Sequence, residues 1–263
     1  MGWKDAFNYM RGMAGKHGVD GGQREDDGLP LGARIGSVVT LQQSPLIRAN
    51  SSGSLIAMPG ANGADTRVLA VSQIKLNMTG GLYRYYLAKG DLDAKEKFLQ
   101  VFRDDQGEIA EIMYCTQLAR VVPETAEDQD AYTGVSGYGL GDKTYTLWRE
   151  QLGDIGLDDA DLDLVFGTGD RLDYWRDAGD HDSEFVAPFS GTEVRIDDPT
   201  GARGLKQEMY FMPYVRDLAD GTPEYLLITT EIIGSVDGDA SRRGIHVDFV
   251  IGIPVERERL AIQ

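Results

Sequence analysis

Cysteine is almost missing from this chain of 263 residues. Cys115 stands alone, so no internal disulfide and no cysteine-built metal cluster can form. A lone thiol suits a reducing compartment. Histidine is scarce as well, with only His17, His181 and His246. Positive charge is in short supply: 26 Lys and Arg stand against 43 Asp and Glu, a formal net charge of −17. Such a surface repels phosphate backbones, and there is no basic stripe, so nucleic acid is not an expected partner. Long hydrophobic runs are absent too. The longest, Phe249 to Val255, is too short to cross a bilayer, and Met1 to Gly15 lacks the apolar region of a signal peptide. A cytoplasmic location is the expectation.

What is present reads as a β-rich body behind a short helix. Trp3, Ala6, Phe7, Met10, Met13 and Ala14 recur at helical spacing, and Lys4, Arg11 and Lys16 against Asp5 leave this segment about +2. The Gly- and Asp-rich stretch Gly18 to Gly28 reads as a flexible linker, so residues 1–28 form one unit and 29–263 the folded body. Arg34 to Leu41, Val68 to Met78 and Leu82 to Leu87 have strand character. Phe98 to Phe102 and Ile109 to Cys115 make a hairpin across Asp104-Asp105-Gln106-Gly107. Met209 to Tyr214, Glu224 to Ile233 and Ile245 to Val255 repeat this order. Tyr83 to Phe98 and Tyr210 to Tyr225 are both 15 positions apart, as an internal duplication of about 29–123 and 190–263 requires. A chance likeness between two ordinary hairpins is the alternative reading. Between the copies, Tyr145, Trp148, Leu152 and Ile155 suggest a short helix. From Asp154 to Glu184 eleven acids face two arginines, interleaved with Leu162, Phe166, Leu172 and Tyr174 as in an ordered segment. The expected fold is α+β, predominantly antiparallel β, with two related β-rich halves and a short N-terminal helix.

Chemistry-bearing motifs are few. Gly12 to His17 has a misplaced first glycine for a phosphate loop and no strand before it, and Gly137 to Gly141 lacks the dinucleotide fingerprint. Ser72 and Lys75 have the spacing of a nucleophile pair, but three positions along a strand put them on opposite faces. His246 and Asp248 share a strand face and have the types to hold a cation; a solvated face of an amphipathic strand is the preferred reading. Asp237, Asp239 and Ser241 fit the first positions of a calcium loop, but Arg242 stands where glycine is required. The Asp158 to Asp170 cluster reads as a solvated acidic face. Cys115 reads as a buried structural thiol. No catalytic residue, metal or cofactor is assigned.

The segments Leu29 to Gly36, Glu108 to Ile112 leading to Pro123, Glu224 to Ile228 and Ile251 to Pro254 together resemble the YjfK-like family, bacterial proteins with a domain of unknown function (2491). The resemblance implies a setting beside a phage-shock-protein-A-type membrane-remodelling protein and supplies no catalytic residues. The leading expectation is a non-enzymatic accessory protein of an envelope-stress system, binding a protein partner at the inner face of the membrane. Its handle would be the stripe Trp3, Phe7 and Met10. The second expectation is a small-molecule-binding protein or an enzyme of unrecognised type, with a site between the halves lined by Tyr83, Tyr85, Trp148, Tyr174 and Trp175. A structural role in an oligomer is the third.

Overall fold

Short turns joining runs of β-branched and aromatic residues leave this chain little choice but antiparallel pairing. The computed structural model describes residues 24–59, 65–88, 95–201, 204–233 and 244–263. In chain order the first elements are β1 (Val38–Leu41), α1 (Ser44–Ser51), β2 (Asp65–Leu76), β3 (Gly81–Leu87), β4 (Lys97–Arg103) and β5 (Ile109–Val121). A middle section follows with α2 (Ala126–Thr133), β6 (Thr144–Trp148), α3 (Arg149–Asp154), α4 (Asp159–Phe166) and β7 (Arg171–Arg176). The chain then returns to β structure with β8 (Phe189–Ile196), β9 (Gly204–Asp217), β10 (Pro223–Ile233), β11 (Gly244–Pro254) and β12 (Leu260–Ile262).

Eight of these strands close into a barrel in the order β2-β3-β4-β5-β11-β10-β9-β8, with β8 returning to β2. The closing seam runs from Val71 opposite Ile196 to Leu76 opposite Gly191. At Gly191 there is no room for a side chain, since a Cβ would lie 1.9 Å from the Lys75 carbonyl oxygen. Two ribbons leave the barrel. β1 and β12 extend from the start of β2, with Val38 opposite Arg67, and β7 and β6 extend from the end of β9, with Trp175 opposite Val215.

Closure gives the sheet two buried faces. Inward residues of β3 are Leu82, Arg84 and Tyr86, and those of β4 are Phe98, Gln100 and Phe102, paired across the ladder. Ala70, Ile74, Leu82, Tyr86, Phe98 and Met113 belong to the lumen core. The outward face carries a larger core in which Val71, Tyr85, Tyr114, Tyr214 and Ile251 meet Leu31, Leu46, Ile56, Leu152 and Phe166 from the covering segments. One outer-face cluster pins the covering loop after α1. Buried Glu224 accepts from the Leu55 N–H at 2.7 Å, the Tyr174 hydroxyl at 2.7 Å, Arg216 Nε at 2.7 Å and the Ser54 hydroxyl. Arg216 Nη2 also donates to the Gly53 carbonyl at 2.7 Å.

The β-rich, antiparallel reading holds. The two halves packed together are corrected: β2–β5 and β8–β11 are each a continuous meander, but they join edge to edge at both seams and share one lumen, so no interface separates them. The segment 145–155 is also corrected. Tyr145 and Trp148 lie in β6, and helix begins only at Arg149, because Thr144 to Trp148 pairs along β7 and strand propensity prevails. The polar stretch around Asn50 is the end of α1, which places Pro45 in its first turn and buries Leu46 and Ala49. Arg24 to Gly28, grouped with the linker by composition, is tied to the body. Asp26 is fully buried, bonded to Arg24 Nη2 at 2.6 Å and to the Ile35 N–H at 3.0 Å.

Candidate ligand site in the barrel lumen

The lumen is divided by one side chain. Arg84, buried on β3, donates through Nε to Gln100 Oε1 at 3.1 Å on the neighbouring strand and through Nη2 to Thr229 Oγ1 at 2.9 Å across the barrel. Its guanidinium lies 5.1 Å from the centre of the Phe98 ring. This crossbar has an apolar chamber on one side and a charged cluster on the other.

The charged side is knit together by its own partners around a recess of about 50 Å³. Arg120 Nε and Nη2 each lie 2.6 Å from an oxygen of Asp248, and Gln117 Nε2 donates to the same carboxylate at 2.8 Å. Arg195 Nη2 donates to Glu96 at 3.0 Å while its guanidinium sits 3.8 Å from the centre of the Tyr86 ring. The Tyr86 hydroxyl and Gln207 Nε2 donate to Glu193 at 3.3 and 2.6 Å. Glu231 and His246 form a hydrogen-bonded pair at 2.8 Å, and Arg84 is 3.8 Å from Glu231. Burial pushes the Glu231 carboxyl up, but His246, Arg84 and Arg120 outweigh it and bring it down to about 2. Burial, and then Glu231, push the Glu193 carboxyl up. The three arginines therefore face Asp248, Glu96 and Glu231, the last two held below the usual carboxylate range, and a fourth acid, Glu193, displaced toward its neutral form.

This corrects the reading of His246 and Asp248 as a solvated face. Both are buried, because β11 lies mid-wall with β5 on one side and β10 on the other, and its even-numbered residues point into the lumen. Donor atoms of Glu231, His246 and Asp248 fall within 4.8 Å of one another. The donor set nevertheless fits a cation poorly: Arg120 and Gln117 already engage Asp248, His246 engages Glu231, and Arg84 adds a positive charge beside it.

The other chamber is open. A half-open cavity of about 210 Å³ occupies this mouth of the barrel. Leu82, Phe102 and Met113 form one wall and Phe189, Phe211 and Leu227 the other, with Gln100 of the crossbar at the floor. Met78, Pro213, Tyr225 and the Asp177–Ala178 segment form the rim. That segment is held over the mouth by the Asp177 N–H donating to the Pro213 carbonyl at 2.9 Å. Gly252 keeps the depth of the chamber clear, since a Cβ there would lie 3.3 Å from Met113 Sδ and 3.4 Å from Cys115 Sγ. Among the described residues, two carboxylates, Glu111 and Asp177, are the charged lining groups. Burial, and then Asp177, push the Glu111 carboxyl up. Burial, with Glu111 and Asp177 adding, pushes the Tyr225 phenol up to about 12.

The aromatic residues expected to line a site do not meet. Tyr83 and Tyr85 point outward from β3, and the Tyr85 hydroxyl accepts from the Leu31 N–H at 3.1 Å. Tyr174 is consumed by Glu224, while Trp148 and Trp175 remain 43% and 53% exposed on the β6–β7 ribbon. Ser72 is buried and Lys75 exposed, on opposite faces as expected. Cys115 is buried in the lumen, where burial pushes its thiol up and disfavours a thiolate. Gly137 to Gly141 is a loop; the Gly141 N–H donates to the Tyr214 hydroxyl at 2.9 Å and its carbonyl accepts from Arg176 at 2.8 Å. Trp3, Phe7 and Met10, His17, and Asp237, Asp239 and Ser241 lie outside the described residues. Among the described residues, no helix is long and apolar enough to cross a membrane.

Sequence reasoning missed Glu111, Asp177 and the cavity itself. The signal available was a charge or amide placed in phase on otherwise apolar strands: Arg84, Gln100, Glu111, Glu193, Glu231 and Asp248. In comparisons with known proteins, no family model, no curated protein and no solved structure matches the chain.

Proposed function

We propose that the chain is a small-molecule-binding barrel whose ligand enters the apolar mouth and stops at the Arg84–Gln100–Thr229 crossbar. The observation that carries this reading is the contrast within one lumen: the charged end is largely taken up by its own ion pairs and keeps a recess of only about 50 Å³, whereas the apolar end keeps a half-open cavity of about 210 Å³. Interiors of eight-stranded barrels are either filled by side chains or hold one small ligand, and the apolar end of this interior has room for the second. A dry apolar cavity of ~150 Å³ holds benzene, so the chamber suits a ring with a short tail. Removing such a body and the cavity walls from water is favourable by about 25 cal/mol per Å² of apolar surface.

Calorimetric titration with 2-phenylethanol tests the reading. The expected result is saturable one-site binding, with Kd on the order of 0.1 mM for a ligand of this size. Ala178→Trp, which adds bulk at the rim, is expected to abolish it, and because Ala178 also packs against the outer core the melting temperature of the variant is measured alongside. Equal binding by both proteins would place the ligand elsewhere. The accessory role implied by the family resemblance is a separate proposal resting on sequence alone. Serine at Trp3, Phe7 and Met10 is expected to end binding to a phage-shock-protein-A-type partner, and unchanged binding removes the helix from it.

A further inference from the structure

We infer that the cavity takes a compact apolar group carrying a primary ammonium, with the ring in the chamber and the cation at the rim between Glu111 and Asp177. This rests on the ligand-binding reading and names the class of its ligand. Among the described residues, every charged side chain lining the cavity is an acid. Arg103, at the nearby end of β4, is turned onto its own hairpin, with Nε donating to the Gly107 carbonyl at 2.7 Å, and does not line the chamber.

Glu111 faces Phe102 across the β4–β5 ladder, so it looks into the mouth from the wall itself, half-buried. Asp177 approaches from outside the barrel on the rim segment. Two acids brought together from separate parts of the fold, beside apolar walls and with no cation among the described lining residues, repel one another when the site is empty. A single ammonium relieves that repulsion and satisfies both, because it offers three donors to carboxylate acceptors. An alcohol of the same shape fills the chamber without relieving the pair, and a carboxylate adds a third negative charge. The Tyr225 hydroxyl on the same rim supplies a neutral acceptor for a remaining ammonium proton.

The test compares three probes of one shape, 2-phenylethylamine, 2-phenylethanol and 3-phenylpropionate, titrated calorimetrically into the full chain at pH 7 and low salt. The expected order is amine over alcohol by about tenfold or more, with the carboxylate weakest. Glu111→Gln together with Asp177→Asn is expected to bring amine and alcohol to within about twofold while alcohol binding persists, which also shows that the variant is folded. Equal affinity of amine and alcohol in the unaltered protein overturns the ammonium assignment and leaves the ligand barrel standing. Tightest binding by the carboxylate overturns it as well. If none of the three binds, both the assignment and the ligand-binding reading fall.

Discussion

Glu111 and Glu231 enter the same lumen from opposite ends, and their surroundings drive them in opposite directions. Glu231 is met by His246, Arg84 and Arg120, which hold its carboxyl near 2 in spite of burial. Glu111 has apolar neighbours and another acid, Asp177, and is pushed up. At one end cations therefore hold Glu231 ionised, although Glu193 beside it is pushed up. The other is left with an acid pair that works against the folded state. That acid pair lines the larger, half-open cavity, and the proposed ligand site draws on this contrast.

That contrast can be broken most severely at the crossbar. Arg84→Met strips Glu231 and Glu193 of their shared cation and is expected to destabilise the protein by about 3–5 kcal/mol, read as a lower urea midpoint. A midpoint shift within about 0.5 kcal/mol would show that the charged end does not depend on its arginine partner.

Glu231→Gln comes next, at about 3 kcal/mol near pH 7. Because the folded-state value lies below the unfolded one, this contribution is present above about pH 4.5 and lost as pH falls toward about 2. Stability against pH should thus drop across that window in the parent protein and flatten in the variant. Among the described residues, the groups facing Glu231 during this titration include His246, Asp248, Arg84, Arg120, Glu96 and Glu193.

Glu111→Gln has the smallest effect and the opposite sign. With its folded value raised, Glu111 favours the folded state at low pH and disfavours it as pH rises through that value. The variant is expected to be more stable at pH 7, by under about 1 kcal/mol because solvent at the mouth screens the acid pair. Loss of stability in this variant would remove the claim that the rim acids oppose folding.

Most of the strand framework was legible in the sequence. The hairpin at Asp104 to Gly107 and the long runs ending at Ile233 and Val255 needed only turn chemistry and strand propensity, and they recur as β4–β5, β10 and β11. Closure was not legible. His246 and Asp248 alternate with Val247 and Phe249 as they would on an open sheet with one wet face, and only the β2–β8 seam turns that face inward. The same ambiguity hid Arg84, whose partners Gln100 and Thr229 lie 16 and 145 positions away. Asp177 was hidden for another reason. It sits in an acidic stretch where each carboxylate looks like solvated surface, and only the turn after β7 brings this one to the cavity.

The most direct test of the central claim uses the methionine methyl groups as reporters. Met78 and Met113 line the cavity, whereas Met212 is buried in the outer core and Met58 packs against it. Titrating 2-phenylethylamine into protein with labelled methionine methyls is expected to shift the Met78 and Met113 resonances along one saturation curve while Met58 and Met212 stay in place. Saturable shifts at Met58 and Met212 with Met78 and Met113 unmoved, or no shift at all, would contradict a ligand site in the apolar mouth of the barrel.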